Sequence, residues 1–320
     1  RVTVSRVLEL SGRGPGFLAA SPALVALGSN TFSGDVVLSG APGAVNSFFY
    51  SQGGTQEFTG KMTLASAVTI PFLGNGNVVI SGEVLPLGTQ GINKSGSTVA
   101  TTLWLKSAPY LFANQIQVSS GTIRVGDGGV LGTGTANNAF LLNGGSLEVR
   151  TEGASLPSFI GRNLFAQGNQ SMFLDRALGG TGLGETVAMG TWGQSINMTH
   201  TFSGRNGMNL SFTTLTSTGN NNSFLTNNLN GLLSFTSSAA AWNQVDTTGA
   251  RTLTLQGTGD FYLAGGLTAT SGNLHGIAKA GQGILTLGAA TGTFTWLATV
   301  SAGTLRIPSM ATLNATGSGP

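Results

Sequence analysis

Eleven carboxylates and two histidines are the groups through which this 320-residue, cysteine-free chain could carry out acid–base or nucleophilic chemistry. The carboxylates are Glu9, Asp35, Glu57, Glu83, Asp127, Glu148, Glu152, Asp175, Glu185, Asp246 and Asp260. Cleavage of a polysaccharide needs two such groups held across the scissile bond. No Asp-x-Asp or Asp-Asp occurs, and the nearest pair, Glu148 and Glu152, is separated by Val149-Arg150-Thr151. This pair reads as a solvated strand end beside Arg150 rather than a dyad. His200, in Thr-His-Thr, and His275, in Leu-His-Gly, have no neighbouring carboxylate. A triad would have to be assembled by the fold, and both histidines read as lone and exposed. Gly126-Asp127-Gly128-Gly129 is a single fragment of a calcium-binding nonapeptide pattern and reads as a turn. Gly179-Gly180-Thr181-Gly182 lacks the Gly-Lys-Ser/Thr of a phosphate loop. No catalytic residue, metal site or cofactor is expected, and the chain reads as a non-enzyme.

The remaining candidates are structural or adhesive. Trp104, Trp192, Trp242 and Trp296 are well separated and read as core or corner residues rather than sugar-stacking platforms. Asn-x-Ser/Thr sequences at Asn169, Asn197, Asn209, Asn221 and Asn314 follow from the abundance of Asn and Thr. The Asn-rich stretch 217–230 reads as a long turn or as a ladder of stacked amides.

The elements that must position these residues are short strands. The chain has 51 glycines, 8% charged residues and 40% hydrophobic residues. That hydrophobic content excludes a disordered chain, and glycine without a period of three excludes collagen. Gly, Ser, Thr and Asn interrupt every helical window. The formal charge of +3 arises from 14 cations against 11 anions. The cations are scattered, with Arg1, Arg6 and Arg13 the densest group, so no basic stripe suited to nucleic acid is present. No apolar run reaches the length of a membrane-spanning helix. The start at Arg1 reads as the start of a processed or excised piece of a longer precursor.

Apolar residues alternate in bursts broken by glycine corners, as in Ile284, Leu285 and Leu287, then Val300, then Leu305 and Ile307. The phrase Gly276–Ile307 repeats an earlier one, Gly91–Val125. Gly91 and Lys94 match Gly276 and Lys279, while Gly121-Thr122-Ile123-Arg124-Val125 matches Gly303-Thr304-Leu305-Arg306-Ile307. Gly74, Gly76 and Gly82 match Gly257, Gly259 and Gly265. The duplication thus relates about 68–135 to about 251–317. Between the copies, 151–183 reads as an irregular insert, with a loop or short helix near Asp175–Leu178. A chain that repeats itself in this way reads as a stacked repeat architecture.

These phrases resemble the autotransporter-associated β-strand repeat, also called the passenger-associated transport repeat. Gly276, Lys279, Gly281, Gly283, Leu285 and Leu287 fit its first part, and Val300, Gly303, Thr304, Leu305 and Ile307 fit its last. Thr291-Gly292-Thr293-Phe294 stands where its Asn-Thr-Tyr-x-Gly belongs, and Asn30-Thr31-Phe32-Ser33-Gly34 carries that signature upstream. The resemblance implies an all-β fold: a right-handed parallel β-helix (β-solenoid) outside a bacterial cell. We therefore expect 1–320 to form one continuous solenoid, a single elongated rod. The repeat-signature residues Gly91, Lys94, Gly121, Thr122, Ile123, Gly276, Lys279, Gly281, Gly283, Leu285, Leu287, Gly303, Thr304 and Leu305 are expected to play structural roles. The functional expectation is an extracellular structural protein, a subunit or segment of a surface filament, whose partners are other copies of itself end to end. An autotransporter passenger that acts as an adhesin toward cell-surface or carbohydrate ligands is the second reading. A polysaccharide-active β-helix enzyme is the third.

Overall fold

Alternation of apolar and polar residues sends successive side chains to opposite faces of a strand, and glycine then turns the chain before a fourth or fifth inward residue is needed. The computed structural model shows the result of that pattern. It describes residues 2–11, 24–39, 49–64, 70–86, 91–96, 100–106, 115–126, 140–151, 162–195, 198–218, 222–245, 249–269, 275–288 and 297–307. No helix occurs among them, and the strands stack in parallel as a β-solenoid.

The chain forms two compact units. The first holds Arg1–Arg162 and Ala177–Thr181, the second Asn163–Arg176 and Gly182–Pro320. The division falls inside 151–183, the stretch in which Pro157 and several glycines interrupt the repeat. That stretch is not wholly irregular. Leu164–Ala166 and Gln170–Arg176 are strands of the second unit, and Asp175 and Arg176 end a strand rather than begin a helix. The reason is plain alternation: Gln170, Met172 and Leu174 point inward and are buried.

In the first unit one face runs from Val2–Val4 through Asn30–Phe32, Thr55–Phe58, Asn77–Ile80, Thr102–Leu105 and Thr122–Val125 to Ser146–Thr151. A second face runs from Leu24–Leu27 to Phe140–Leu142, and a third from Leu8–Ser11 to Val84–Pro86. Register puts like over like. Phe32, Phe58, Ile80, Leu105, Val125 and Val149 form one inward column, each at most 6% exposed. Phe32 and Phe58 stack at 4.6 Å between ring centroids. The second unit repeats the logic. Leu210, Leu233, Phe261 and Leu285 form one column, and Phe212, Phe235, Leu263 and Leu287 form the next. Full burial of each such side chain contributes about 1.5–3 kcal/mol. A coil alone has nothing above or below to supply that burial.

The corners are as tightly stacked as the core. A Cβ on Gly82 would overlap the carbonyl of Gly60, and one on Gly60 would overlap that of Gly34. Here glycine is required by the approach of the next coil's backbone, not by an unusual dihedral. Gly28 is the opposite case: its φ is +66° and nothing lies within 4 Å of the Cβ position.

These two glycines give a test of which constraint governs the corner. Gly82→Ala is expected to destabilise the first unit by about 2–3 kcal/mol through backbone overpacking. Gly28→Ala should cost only about 1 kcal/mol, the penalty for a left-handed residue. Urea unfolding midpoints measure both. Equal losses would show that dihedral freedom, not coil-to-coil approach, selects glycine here.

Candidate functional site

The strongest sequence signal places chemistry under the corners. Lys94 ends the strand Ile92–Lys94 and Lys279 ends Gly276–Lys279, and each is 1% exposed. Both precede a glycine with positive φ, Gly96 and Gly281 respectively, and both lie beneath the next coil's left-handed glycine, Gly121 or Gly303. Lys279 Nζ donates to the carbonyls of Ala280 at 2.9 Å and Gly281 at 2.8 Å. It thereby satisfies two acceptors that the turn withdraws from the strand ladder. Burial lowers its pKa, and the carboxylate of Asp260 opposes that shift. Lys94 sits at the matching place, but its Nζ is buried without a hydrogen-bond partner, and burial lowers its pKa to about 8.

The other signature residues surround these corners. Ile123, Leu285 and Leu287 are core residues, and Thr122 faces outward. Gly91 and Gly283 each lie against a neighbouring coil's carbonyl, of Gln115 and Gly259. Thr304 and Leu305 lie in the strand Thr304–Arg306, which pairs with Ile284–Leu287.

Two further polar residues do the same work without belonging to the signature. Gln56 Nε2 donates to the Gly28 carbonyl at 2.5 Å. Asn227 is fully buried, donates to the Asp260 carbonyl at 2.7 Å and accepts from the Leu229 amide at 3.0 Å. Among the described residues of the Asn-rich stretch, Asn222, Asn227 and Asn228 do not stack as a ladder of amides. Their side chains bond to backbone instead, because the corner leaves amides and carbonyls there without strand partners. The pattern recurs along the chain. The Oδ1 of Asn77 accepts from the Thr102 amide, that of Asn169 from Thr199, that of Asn209 from Leu232 and that of Asn222 from Thr252. Asp35 and Asp260 accept likewise from Lys61 and Ile284. Each bond ties a side chain on one coil to the backbone of the next. Sequence reasoning missed these clamps, although Asn or Asp recurring near a strand end about one coil apart was their signal.

The histidines are buried, not exposed as their sequence suggested. His200 points inward between the outward Thr199 and Thr201, in a column with Gln170 and Leu225. Its ring meets Trp192 edge-on at 5.1 Å, neither ring nitrogen has a hydrogen-bond partner, and burial lowers its pKa to about 4. His275 is 1% exposed, and its Nδ1 accepts from the Arg251 amide. Trp192 and Trp242 are buried at 1% each, and both indole N–H groups donate within a polar cluster of Gln194 and Ser217.

Glu148 is more enclosed than a solvated strand end. It is 8% exposed and bridges Arg124 at 2.7 Å and Arg150 at 2.5 Å. Asp175 accepts from Asn206 Nδ2 at 2.5 Å. Among the described residues no group of three or more His, Asp or Glu could hold a metal ion. Arg13–Gly16, Asp127–Gly129, Glu152, Asn197, Asn221, Asp246, Thr291–Phe294, Trp296 and Asn314 lie outside the described residues. The chain matches no protein-family model, no curated protein and no solved structure.

Two outcomes follow from these buried groups. Replacing Lys94 with Met removes an unpartnered buried ammonium and should raise stability by about 1 kcal/mol at neutral pH. Lys279→Met strands two carbonyls and should lower it by about 1–3 kcal/mol. Lys94 loses its proton near pH 8 when folded and near 10.5 when unfolded. The unfolded chain therefore holds more protons in that window, and wild-type stability rises across it. This rise should shrink in Lys94→Met, leaving the part that Lys279 contributes with the same sign, when unfolding is followed from pH 7 to 11.

His200 carries the same sign at lower pH. Folded, it binds a proton only near pH 4, against an ordinary value of 6.5. Stability should fall by up to about 3 kcal/mol as pH drops from 6.5 to 4. Subtracting the pH profile of His200→Leu isolates this loss. Identical profiles in that window would contradict the buried, neutral imidazole.

Proposed function

We propose that this chain is an extracellular structural β-solenoid, a non-catalytic segment of a bacterial surface fibre that associates end to end with further copies. The observation that carries the reading is the strand Leu297–Val300. It pairs along one edge with Gly276–Lys279, yet leaves Leu297 70% and Val300 46% exposed. Leu297 continues the outward column of Thr252 and Gly276, whereas Ala298 and Val300, both exposed, continue inward columns whose earlier members are buried, Leu253 and Ile277 in one and Leu255 and Lys279 in the other. A further in-register coil would bury Ala298 and Val300 and extend the backbone ladder. An end-to-end contact of this kind does not close, so it propagates into a filament. Two more features support the reading. Charged residues make up only 8% of the chain, which limits repulsion between copies. The polar chemistry under the corners serves the coils themselves. The resemblance to autotransporter-associated repeats supports placement outside the cell.

One observation favours the second reading, an adhesin passenger. Trp104, Lys106 and Arg124 cluster on the outer flank of the first unit. A passenger would be followed in its full-length protein by amphipathic strands that close a membrane barrel.

Electron microscopy of the purified chain at increasing concentration tests the proposal. Filaments are expected to appear with concentration, and Ala298→Asp with Val300→Asp should suppress them. Monodisperse particles at every concentration would overturn end-to-end assembly and leave the passenger reading.

A further inference from the structure

We propose that the outer flank of the first unit around Trp104 binds a linear anionic polysaccharide, one bearing carboxylate or sulfate groups along its length. Register builds the surface. Trp104, Arg124 and Glu148 stand over one another on three successive strands of one face. Lys106 follows Trp104 by two residues, and Arg150 follows Glu148 by two. Lys106 is exposed, and its Nζ lies 5.4 Å from the Trp104 ring centroid, while Arg124 Cζ lies 5.2 Å from it. Arg124 and Arg150 both hold Glu148, whose carboxylate fixes their positions.

Three cations against one carboxylate give this patch a charge of +2, within a chain whose formal total is +3. Glu57 is the next carboxylate in the same outward column, and it is separated from Trp104 by Val79. The cations lie on successive strands about 4.8 Å apart, so they present a row of positive charge along the stacking direction. A parallel outward column of Thr102, Thr122 and Ser146 runs beside it. Hydroxyls at that spacing match the hydroxyls of a sugar chain, and the half-buried Trp104 ring holds the Lys106 and Arg124 cations over it in cation–π contact.

A nucleic acid fits less well. Sequence-tolerant binding of single strands uses successive aromatic platforms, whereas this flank has one tryptophan and a carboxylate among its arginines. The proposal does not depend on filament formation, since the flank lies on the side of the coils.

The test uses the full chain on four immobilised polymers: polygalacturonate, dextran sulfate, uncharged dextran and poly(dT). Retention by polygalacturonate or dextran sulfate is expected, weakening with salt, and the tighter of the two identifies the charged group recognised. Uncharged dextran should not retain the chain, and poly(dT) should bind at least tenfold more weakly. Lys106→Glu should lower affinity for the anionic polysaccharide at least tenfold, and Trp104→Ala at least threefold, with unfolding midpoints near wild type. Should Trp104→Ala fail to fold, Lys106→Glu, at an exposed position, decides alone. The proposal is overturned by lack of binding to both anionic polysaccharides, by equal retention on uncharged dextran or poly(dT), or by an affinity that Lys106→Glu leaves unchanged.

Discussion

Every feature of these two units depends on one constraint: the backbone of each coil must lie in register on the backbone of the next, corners included. Strand pairing alone would tolerate side chains at the turns. The corner glycines show that it does not do so here, because Gly34, Gly60 and Gly82 bring carbonyl against Cα from coil to coil. Inward columns then follow automatically. Once Phe58 lies over Ile80, Leu105 and Val125 have no freedom to point elsewhere.

A stack of this kind has a recurring polar problem. Each corner pulls amides and carbonyls out of the ladder while the next coil shuts out water. The chain solves it with side chains that reach from one coil toward the backbone of another or of the turn itself. Lys279, Gln56 and Asn227 do this from the inside. Asn77, Asn169 and Asn222 do it at strand ends by accepting the first amide of the next strand. The lysine of the repeat signature is thus explained as an internal donor to turn carbonyls. Lys94, with no such partner, is the place where that solution is incomplete.

The solenoid was legible in the sequence because two strong patterns, alternation and corner glycine, both repeat. Leu285 and Leu287, or Ile123 and Val125, are read correctly by period two alone. His200 was misread because a polar residue in an alternating strand carries no mark of which face it takes. Only the register with Gln170 and Leu225 turns it inward. The strand Gln170–Arg176 was obscured by the glycines and proline around it, although its own alternation is regular. The Asn clamps escaped because each bond joins residues about one coil apart, and coil length varies. Phe58 pairs with Ile80 but Leu225 with Leu255, so no fixed spacing reveals them. The Trp104 flank likewise exists only through register, since Trp104, Lys106, Arg124 and Arg150 are unremarkable as a string.

A fold that spends its glycines, amides and buried lysine on joining coil to coil is suited to extension, and its outer faces remain available for recognition. Both uses require that the stack be real and in register. The most direct measurement is a spin-label distance across several coils of the first unit. The chain has no cysteine, so labels can be placed at Thr55→Cys and Ser146→Cys alone. These outward positions are four strand steps apart on one face, by way of Asn77, Thr102 and Thr122. Stacking at about 4.8 Å per step predicts a narrow distribution centred near roughly 20 Å, widened only by the label linkers. A broad distribution, or a centre beyond about twice that value, would contradict the stacked register on which the account rests.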